Sequence, residues 1–226
     1  MIPSWLKHLV GPSEAEDTGT SGESPLLVLP NRKTMFETPT IELGQLTGKC
    51  LIASPFMSDN RFRHAVVFVC GHSDKGAMGL VINQPIDEPS FPELLEQFNI
   101  DAGADTPDIT TVQGGPVENG RGFVLHGSDY NDRGTQVISP DLSMSCSLDV
   151  LKAMADNAGP AHALLALGYT GWDAGQLEAE LAEHSWLVTD TDDDLLFEIS
   201  CNHRWEAALG RIGVQPGAIS MQVGRA

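Results

Sequence analysis

The segment that most constrains the fold of this chain spans residues 48–85. It contains two almost uninterrupted apolar runs, residues 64–70 and 77–83, on either side of the polar, glycine-rich stretch 71–76. Continuous apolar runs of this length are typical of strands that are covered on both faces of a sheet. The segment therefore predicts two adjacent buried strands that are joined by a hairpin loop at residues 71–76.

Downstream of this hairpin, strand and helix patterns are mixed in an irregular order. Ser90 and Glu93 form a capping box that predicts a helix to about Phe98, and Ser147 is placed to cap a second helix. A third helix is predicted to open at residues 170–173, and a closing helix at residues 205–209. Further strands are predicted at residues 51–53, 110–113, 122–126, 136–138, 162–167, 187–188 and 195–199. Adjacent strands with interspersed helices favour an α+β domain over a regular βαβ repeat.

The N-terminal residues differ in composition from the rest of the chain. Residues 11–38 are rich in Gly, Ser, Pro, Thr and acidic residues. Such a stretch buries too little apolar surface to offset the entropy that ordering would cost. We therefore expect residues 1–38 to form a flexible extension and residues 39–226 to form one compact domain.

Charge and composition restrict the partners of the chain. It has 31 acidic and 13 basic residues, for a net charge of −18, and its nearest basic cluster is Arg61, Arg63 and His64. A field of this sign repels DNA and anionic membranes, so direct nucleic-acid binding is disfavoured. No apolar run approaches the roughly 18 residues that a membrane-spanning helix needs. Four scattered cysteines without a Cys-x-x-Cys pair suit a reducing compartment, so a cytoplasmic protein is expected.

Three side chains are candidates for catalysis. Cys70 and His72 lie two residues apart at a predicted strand end, where both side chains would point to one side of the sheet. Such a pair forms either an activated thiolate or half of a metal site. The structural alternative is a buried cysteine followed by a turn histidine, and His126 is equally explained as a strand-end residue. No complete catalytic set is present, so the chain is expected to be non-catalytic, with Cys70, His72 and His126 as the alternative.

Glycine-rich corners supply candidates for ligand binding. Gly114 and Gly115 let the backbone approach either a ligand or another strand closely, and Asn83 either binds a ligand or bonds to local backbone. Tyr169 and Trp172 flank glycines at a predicted strand-to-helix corner, where helix N-terminal amides attract anions. The alternative for these two aromatic residues is a role in filling the core.

Patterns that would imply a metal or a cofactor are incomplete. Residues 71–76 have the glycine spacing of a phosphate loop but lack the lysine and the hydroxyl residue that must follow. The acidic run 190–194 begins like a calcium loop, yet Leu195 and Cys201 occupy its glycine and final glutamate positions. A solvated acidic turn is the better interpretation, and no metal or cofactor is expected.

The ordered motifs resemble the AlgH/YqgE family of small bacterial proteins. The resemblance covers about residues 43–215 and rests on residues 51–55, 62–67, 76–83 with Pro85, 114–116, 121–126, 168–172, 175–178 and 205–208. It implies a single compact α+β domain built around a bent, partly branched mixed sheet flanked by helices. Family members are often labelled transcriptional regulators, and the family supplies no agreed catalytic residues. Arg63 and Arg121, two basic residues of these motifs, complete the set of candidate ligand or partner residues.

Three functions compete on this basis. The first is a regulatory or binding protein that acts through a protein partner or a small ligand, as an indirect regulator. The second is a small-molecule enzyme that uses Cys70, His72 and His126. The third is direct DNA regulation, which the acidic charge and the lack of a basic recognition helix oppose. The oligomeric state is left open by the sequence.

Overall fold

The computed structural model describes residues 46–103, 106, 107 and 109–214, so the extension expected at residues 1–38 lies outside the described residues. The strands are β1 (Cys50–Ala53), β2 (Val66–Ser73), β3 (Gly76–Val81), β4 (Thr110–Gln113), β5 (Val117–Gly127), β6 (Thr135–Val137), β7 (Leu142–Ser145), β8 (Ala163–Asp173) and β9 (Trp186–Thr189). The helices are α1 (Phe91–Gln97), α2 (Leu148–Ala155), α3 (Gln176–Ala182) and α4 (Cys201–Arg211), with a 3₁₀ turn at Asn60–Phe62 and a π-helical turn at Asp194–Glu198.

The strands of the described region belong to one branched sheet with the order β6-β7-β5-β8-β3-β2-β1-β9. The first half of β8 pairs with β5 on one edge and, in parallel, with β4 on the other. Its second half pairs with β3 along the edge that β4 has left. The single parallel pair makes the sheet mixed, and the change of partner along β8 makes it branched. The predicted α+β architecture is therefore confirmed.

Alternation along β2 divides the core into two clusters, one on each face of the sheet. Val66 and Phe68 belong to the larger cluster, which α1, α2 and α4 cover, whereas Val67 and Val69 belong to the smaller cluster, which α3 covers. Burial on both faces explains the continuous apolar pattern of this strand. The predicted β2–β3 hairpin is confirmed with a tighter turn, because β2 continues to Ser73 and β3 begins at Gly76.

Two local predictions are wrong, and one strand was not predicted. Residues 170–173 continue β8, because β3 supplies a pairing edge there, and α3 begins only after Gly175 with φ +74. Residues 195–199 do not form a strand, because Asp194–Glu198 is a π-helical turn in which Leu195 N–H donates to Asp192. A short apolar run cannot distinguish these states. β7 was missed because two of its four residues are serines.

Candidate functional site

Four of the candidate ligand residues, Gly114, Gly115, Arg121 and Tyr169, lie close together. They meet where the segment between β4 and β5 crosses the middle of β8. A Cβ atom at Gly114 would lie 2.3 Å from the carbonyl oxygen of Gly168, and one at Gly115 would lie 2.2 Å from the carbonyl carbon of Tyr169. Gly114 N–H also donates to Leu167 O at 2.8 Å. The space beside both glycines is therefore filled by the backbone of β8, so these glycines permit a close strand crossing.

Beside this crossing, β5 carries a wide bulge at residues 118–121, called here the β5 bulge. Val117 pairs with Tyr169 and Gly122 pairs with Leu167, so all four bulge residues lie opposite Gly168 alone. Gly168 has φ +76, and a Cβ atom there would lie 3.1 Å from Asn119 Cα. Glu118 has φ +48, a left-handed conformation that is unfavourable for a residue with a side chain. Bulges of this kind redirect side chains next to functional sites.

The bulge turns Arg121 into the protein, where the residue is only 5% exposed. Its Nη1 donates to Glu118, and its guanidinium carbon lies 6.0 Å from the centre of the Phe123 ring. Nη2 is buried and has no hydrogen-bond partner among the described residues. Burial lowers the pKa of Arg121 from its ordinary value, and burial likewise raises the pKa of nearby Tyr169. Among the described residues, Arg121 is thus hydrogen-bonded through one terminal nitrogen, Nη1.

A second group of candidate residues lies at the loop between β1 and β2, residues 54–65, called here the basic loop. Asn83 Nδ2 donates to His64 O and its Oδ1 accepts from Val66 N–H, both at 2.8 Å. Gln84 Nε2 donates to Arg61 O at 2.8 Å. Asn83 therefore bonds to local backbone, and together with Gln84 it holds the basic loop in one conformation.

The basic loop presents aromatic and cationic side chains to solvent. Phe56 is 59% exposed, and Arg63 is exposed and has no ion pair among the described residues. Arg61 is paired with Asp59 at 2.6 Å, so its charge is locally compensated. His64 adopts φ +56 and lies with its ring centre 4.1 Å from that of Trp205. Within the part of the chain that the structure describes, Arg63 is therefore a surface cation without an ion pair, on a loop that Asn83 and Gln84 hold in place.

Trp172 lies on the opposite face of the sheet from Tyr169, in the smaller core cluster. Its Nε1 donates to Glu180 Oε2 at 2.9 Å, and Trp186 Nε1 donates to the same oxygen at 2.7 Å. Gln176 Nε2 donates to the other oxygen of Glu180 at 2.8 Å. One carboxylate therefore joins α3 to β8 and β9. Trp172 lies within β8, so the helix that was predicted to open at this corner begins at Gln176 instead.

Cys70 and His72 lie on opposite faces of the sheet, contrary to the sequence prediction. A bulge interrupts the β2–β3 register between Val69 and Gly71 and reverses the alternation of side chains. Cys70 packs in the larger cluster, where burial raises the pKa of its thiol. His72 instead lies opposite Ala77 and bonds through Nε2 to Glu178 of α3 at 2.7 Å. The two side chains therefore do not form a pair.

His126 is fully buried and begins a chain of polar contacts. Its Nδ1 contacts Gly127 O at 2.7 Å, and its Nε2 contacts Ser145 Oγ at 2.9 Å. Ser145 contacts Thr135 at 2.7 Å, and Thr135 donates to Asp132 at 3.1 Å. In the sheet, β3 and β8 separate the strand of His126 from β2. The structure therefore does not bring Cys70, His72 and His126 together.

The burial of His126 gives a prediction for the pH dependence of stability. Desolvation lowers its pKa below the ordinary value of about 6.5, so the folded protein binds fewer protons than the unfolded chain in mildly acidic solution. We expect the contribution of His126 to be constant above about pH 6.5. As the pH falls below that value, the free energy of unfolding should decrease by up to about 1.4 kcal/mol per pH unit.

Urea denaturation of wild type and His126→Gln between pH 5 and 8 checks this expectation. The variant should lose part of the acid-side slope, whereas His203→Gln, which removes an exposed imidazole from α4, should retain it. Equal slopes for wild type and His126→Gln would show that this histidine does not control the acid sensitivity.

The charges that line a cleft beside β9 compensate one another. A cleft of about 450 Å³ beside β9 is lined by Lys49, Asp190, Asp192 and Arg211, among other residues. Lys49 pairs with Asp190, and Arg211 pairs with Asp192 at 2.7 Å, so these opposite charges offset each other.

Within residues 46–103, 106, 107 and 109–214, no group of three or more His, Cys, Asp or Glu is arranged to hold a metal ion. No helix in the same residues is long and apolar enough to cross a membrane.

Sequence reasoning missed three polar residues that organise these sites. Glu118 and Glu180 gave no local signal, because their partners come from the bulge and from two distant tryptophans. Arg204 did give one, because it occupies the apolar face of α4 that Cys201, Trp205 and Ala208 define. It is 1% exposed and donates to Ile199 O at 2.7 Å and to Ile82 O. Arg204 thereby joins α4 to the chain that follows β3.

Comparison with known proteins places the chain among bacterial relatives. A UPF0301 protein of Rhodospirillum rubrum is 44% identical over 183 residues, which cover 81% of this chain and 95% of that protein. A UPF0301 protein of Paracoccus denitrificans is 46% identical over 186 residues, covering 81% and 98% of the two chains.

Solved structures agree with this placement. The solution structure of the AlgH protein from Pseudomonas aeruginosa is 43% identical and superposes with a TM-score of 0.66 over 80% of this chain and 96% of that one. Protein DIP2367 from Corynebacterium diphtheriae, at 17% identity, shares the fold with a TM-score of 0.58 over 74% and 86% of the chains. The AlgH-like family model matches residues 50–217. The chain therefore belongs to the AlgH-like family, as its ordered motifs indicated.

Proposed function

We propose that this protein is a non-catalytic, cytoplasmic regulatory protein that acts by binding a partner protein at the basic loop. The observation that carries the proposal is the exposure of Arg63 and Phe56 on a loop that Asn83 and Gln84 hold in place. Arginine and aromatic residues supply most of the binding energy in protein interfaces. A loop that is already ordered loses little entropy when it binds.

Charge indicates what kind of partner fits this surface. The chain carries a net charge of −18, and Arg63, which has no ion pair among the described residues, adds a local positive charge to this acidic surface. Salt screens the overall repulsion beyond about 8 Å, whereas a contact between Arg63 and a carboxylate lies well within that distance. The expected partner therefore presents acidic residues next to an apolar recess for Phe56. The same net charge opposes direct binding to DNA, so any effect on transcription is indirect.

The alternative of an enzyme that uses Cys70, His72 and His126 has less support. Cys70 is buried, and burial raises the pKa of its thiol. His126 is fully buried and contacts Gly127 O and Ser145 Oγ. His72 is bonded to Glu178 of α3. An alkylation assay addresses it directly: a Cys70 thiol that reacted faster than a free thiol at neutral pH would favour the enzyme.

Photo-crosslinking in cells tests the proposal for the basic loop. A benzophenone amino acid that replaces Phe56 should trap a partner protein, and the same amino acid in place of the exposed Val137 on β6 should not. Adding Arg63→Ala should reduce the crosslink about tenfold, because losing an interface arginine costs about 1.4 kcal/mol or more. The matched control is Lys152→Ala, an exposed cation on α2, which should leave the crosslink intact. Equal crosslinking in both variants would refute the role of the basic loop.

A further inference from the structure

We propose that Arg121 forms a binding site for an oxyanion, a carboxylate or a phosphate group, which Glu118 occupies in its absence. The site lies within the β5 bulge, apart from the basic loop, so it does not depend on the proposed docking of a partner. Three observations at this bulge support the assignment: the bonding of Arg121, the conformation of Glu118 and the enclosure of the site.

The first observation is the incomplete bonding of the guanidinium group. Arg121 is 95% buried in the fold, as its 5% exposure shows, and Glu118 engages only Nη1. Nη2 is buried without an acceptor among the described residues. An unsatisfied buried donor is costly, and this cost is larger when the donor belongs to a charged group. The two terminal nitrogens of an arginine match the two oxygens of a carboxylate or a phosphate, which bind both nitrogens at once.

The second observation is that Glu118 is poorly suited to be the permanent partner. It holds φ +48, a conformation that costs roughly 1 kcal/mol for a residue with a Cβ atom. Its side chain is about one third exposed, so it can swing into solvent without unfolding the sheet. An incoming monoanion that replaces Glu118 leaves the charge beside Arg121 unchanged, because one carboxylate replaces another.

The third observation is the enclosure of the site. Phe123 lies beside the guanidinium group and packs edge-on against Tyr169, with ring centres 5.9 Å apart. These rings shield the guanidinium group from solvent. In such surroundings a charge-assisted hydrogen bond is stronger than it is in water. On the opposite strand, the backbone of Val117 and Asn119 packs closely against Gly168, so the sheet backbone also encloses the site.

The test is an NMR titration of the full chain with sodium acetate and, separately, with inorganic phosphate. Ionic strength is held constant with sodium chloride. The signals to follow are the amides of Gly115, Gly122 and Gly168 and the Nε–H of Arg121. Wild type should show saturable shifts, and Glu118→Gln should bind about tenfold more tightly, because the competing carboxylate is gone. Preference for acetate identifies a carboxylate ligand, and preference for phosphate identifies a phosphate ligand.

Arg121→Met should abolish the saturable shifts in a protein whose spectrum remains dispersed. If that variant does not fold, Arg121→Lys replaces it, because lysine retains the charge but not the two-nitrogen fork, and it should weaken binding about tenfold. A linear rise of the shifts in Glu118→Gln, without saturation, would overturn the proposal. Shifts in the arginine variants that equal those of wild type would also overturn it. Tighter binding in wild type than in Glu118→Gln would overturn the competition by Glu118.

Discussion

Replacing Gly114 with alanine is expected to destabilise the protein by about 3 kcal/mol or more, or to prevent folding. The added Cβ atom would lie 2.3 Å from Gly168 O and 2.9 Å from Ala166 Cβ. Neither neighbour is the end of a flexible side chain, so the backbone would have to move. That movement would break the bonds of Gly114 to Leu167 and Val81, which connect β8 to β3. Urea denaturation followed by tryptophan fluorescence measures the effect.

The matched control for this substitution is Gly210→Ala. Gly210 is exposed in α4, and a Cβ atom there meets nothing within 4 Å. Alanine should stabilise the protein by about 0.5–1 kcal/mol, because it restricts the unfolded chain and favours the helix. A Gly114→Ala variant within about 1 kcal/mol of wild type would show that the crossing of β8 is looser than the structure indicates.

Replacing Glu180 with alanine should cost about 3 kcal/mol of unfolding free energy. The substitution leaves the Nε1 donors of Trp172 and Trp186 without an acceptor, and both indoles are at least nine-tenths buried. It also removes the acceptor of Gln176 Nε2 within α3, whereas the contacts of His72 with Glu178 and of Asp173 with Gln176 still join the sheet to this helix. Glu180→Gln should lose less, because an amide retains one acceptor oxygen.

The control for Glu180 is Glu183→Ala, which removes an exposed carboxylate at the end of the same helix. It should change stability by less than about 0.5 kcal/mol. Thermal and urea unfolding of the three variants should therefore rank Glu180→Ala as the least stable. Equal stability of Glu180→Ala and Glu183→Ala would mean that the packing of Leu177 and the bond between His72 and Glu178 hold α3 in place without Glu180.

Much of the fold could be predicted because its signals are local. Buried strands such as β2 and β3 read as continuous apolar runs, and Ser90 and Ser147 mark the starts of α1 and α2. The errors occurred where pairing decides the outcome. Residues 170–173 have the composition of a helix start, but β3 offers them a free edge, and hydrogen bonding to that edge extends β8.

The candidate sites could be predicted only as residue types. Arg63, Asn83 and Arg121 are visible as polar residues within apolar surroundings, yet their partners lie elsewhere in the chain. Asn83 bonds to the backbone of His64 and Val66, 19 and 17 residues away. Whether such a side chain bonds to its own backbone or stays available for a ligand depends on contacts that close only when the sheet forms.

The sequence by itself determined the family, the α+β class and the strands of the central hairpin, because periodicity and ordered motifs are properties of the chain. Only the tertiary structure decided the roles of the polar residues. The bulge in β2 places Cys70 and His72 on opposite faces, and the β5 bulge turns Arg121 inward towards Glu118. The physical reason is that a bulge adds residues to one strand but not to its partner, so it changes the direction of side chains without leaving a local sequence pattern.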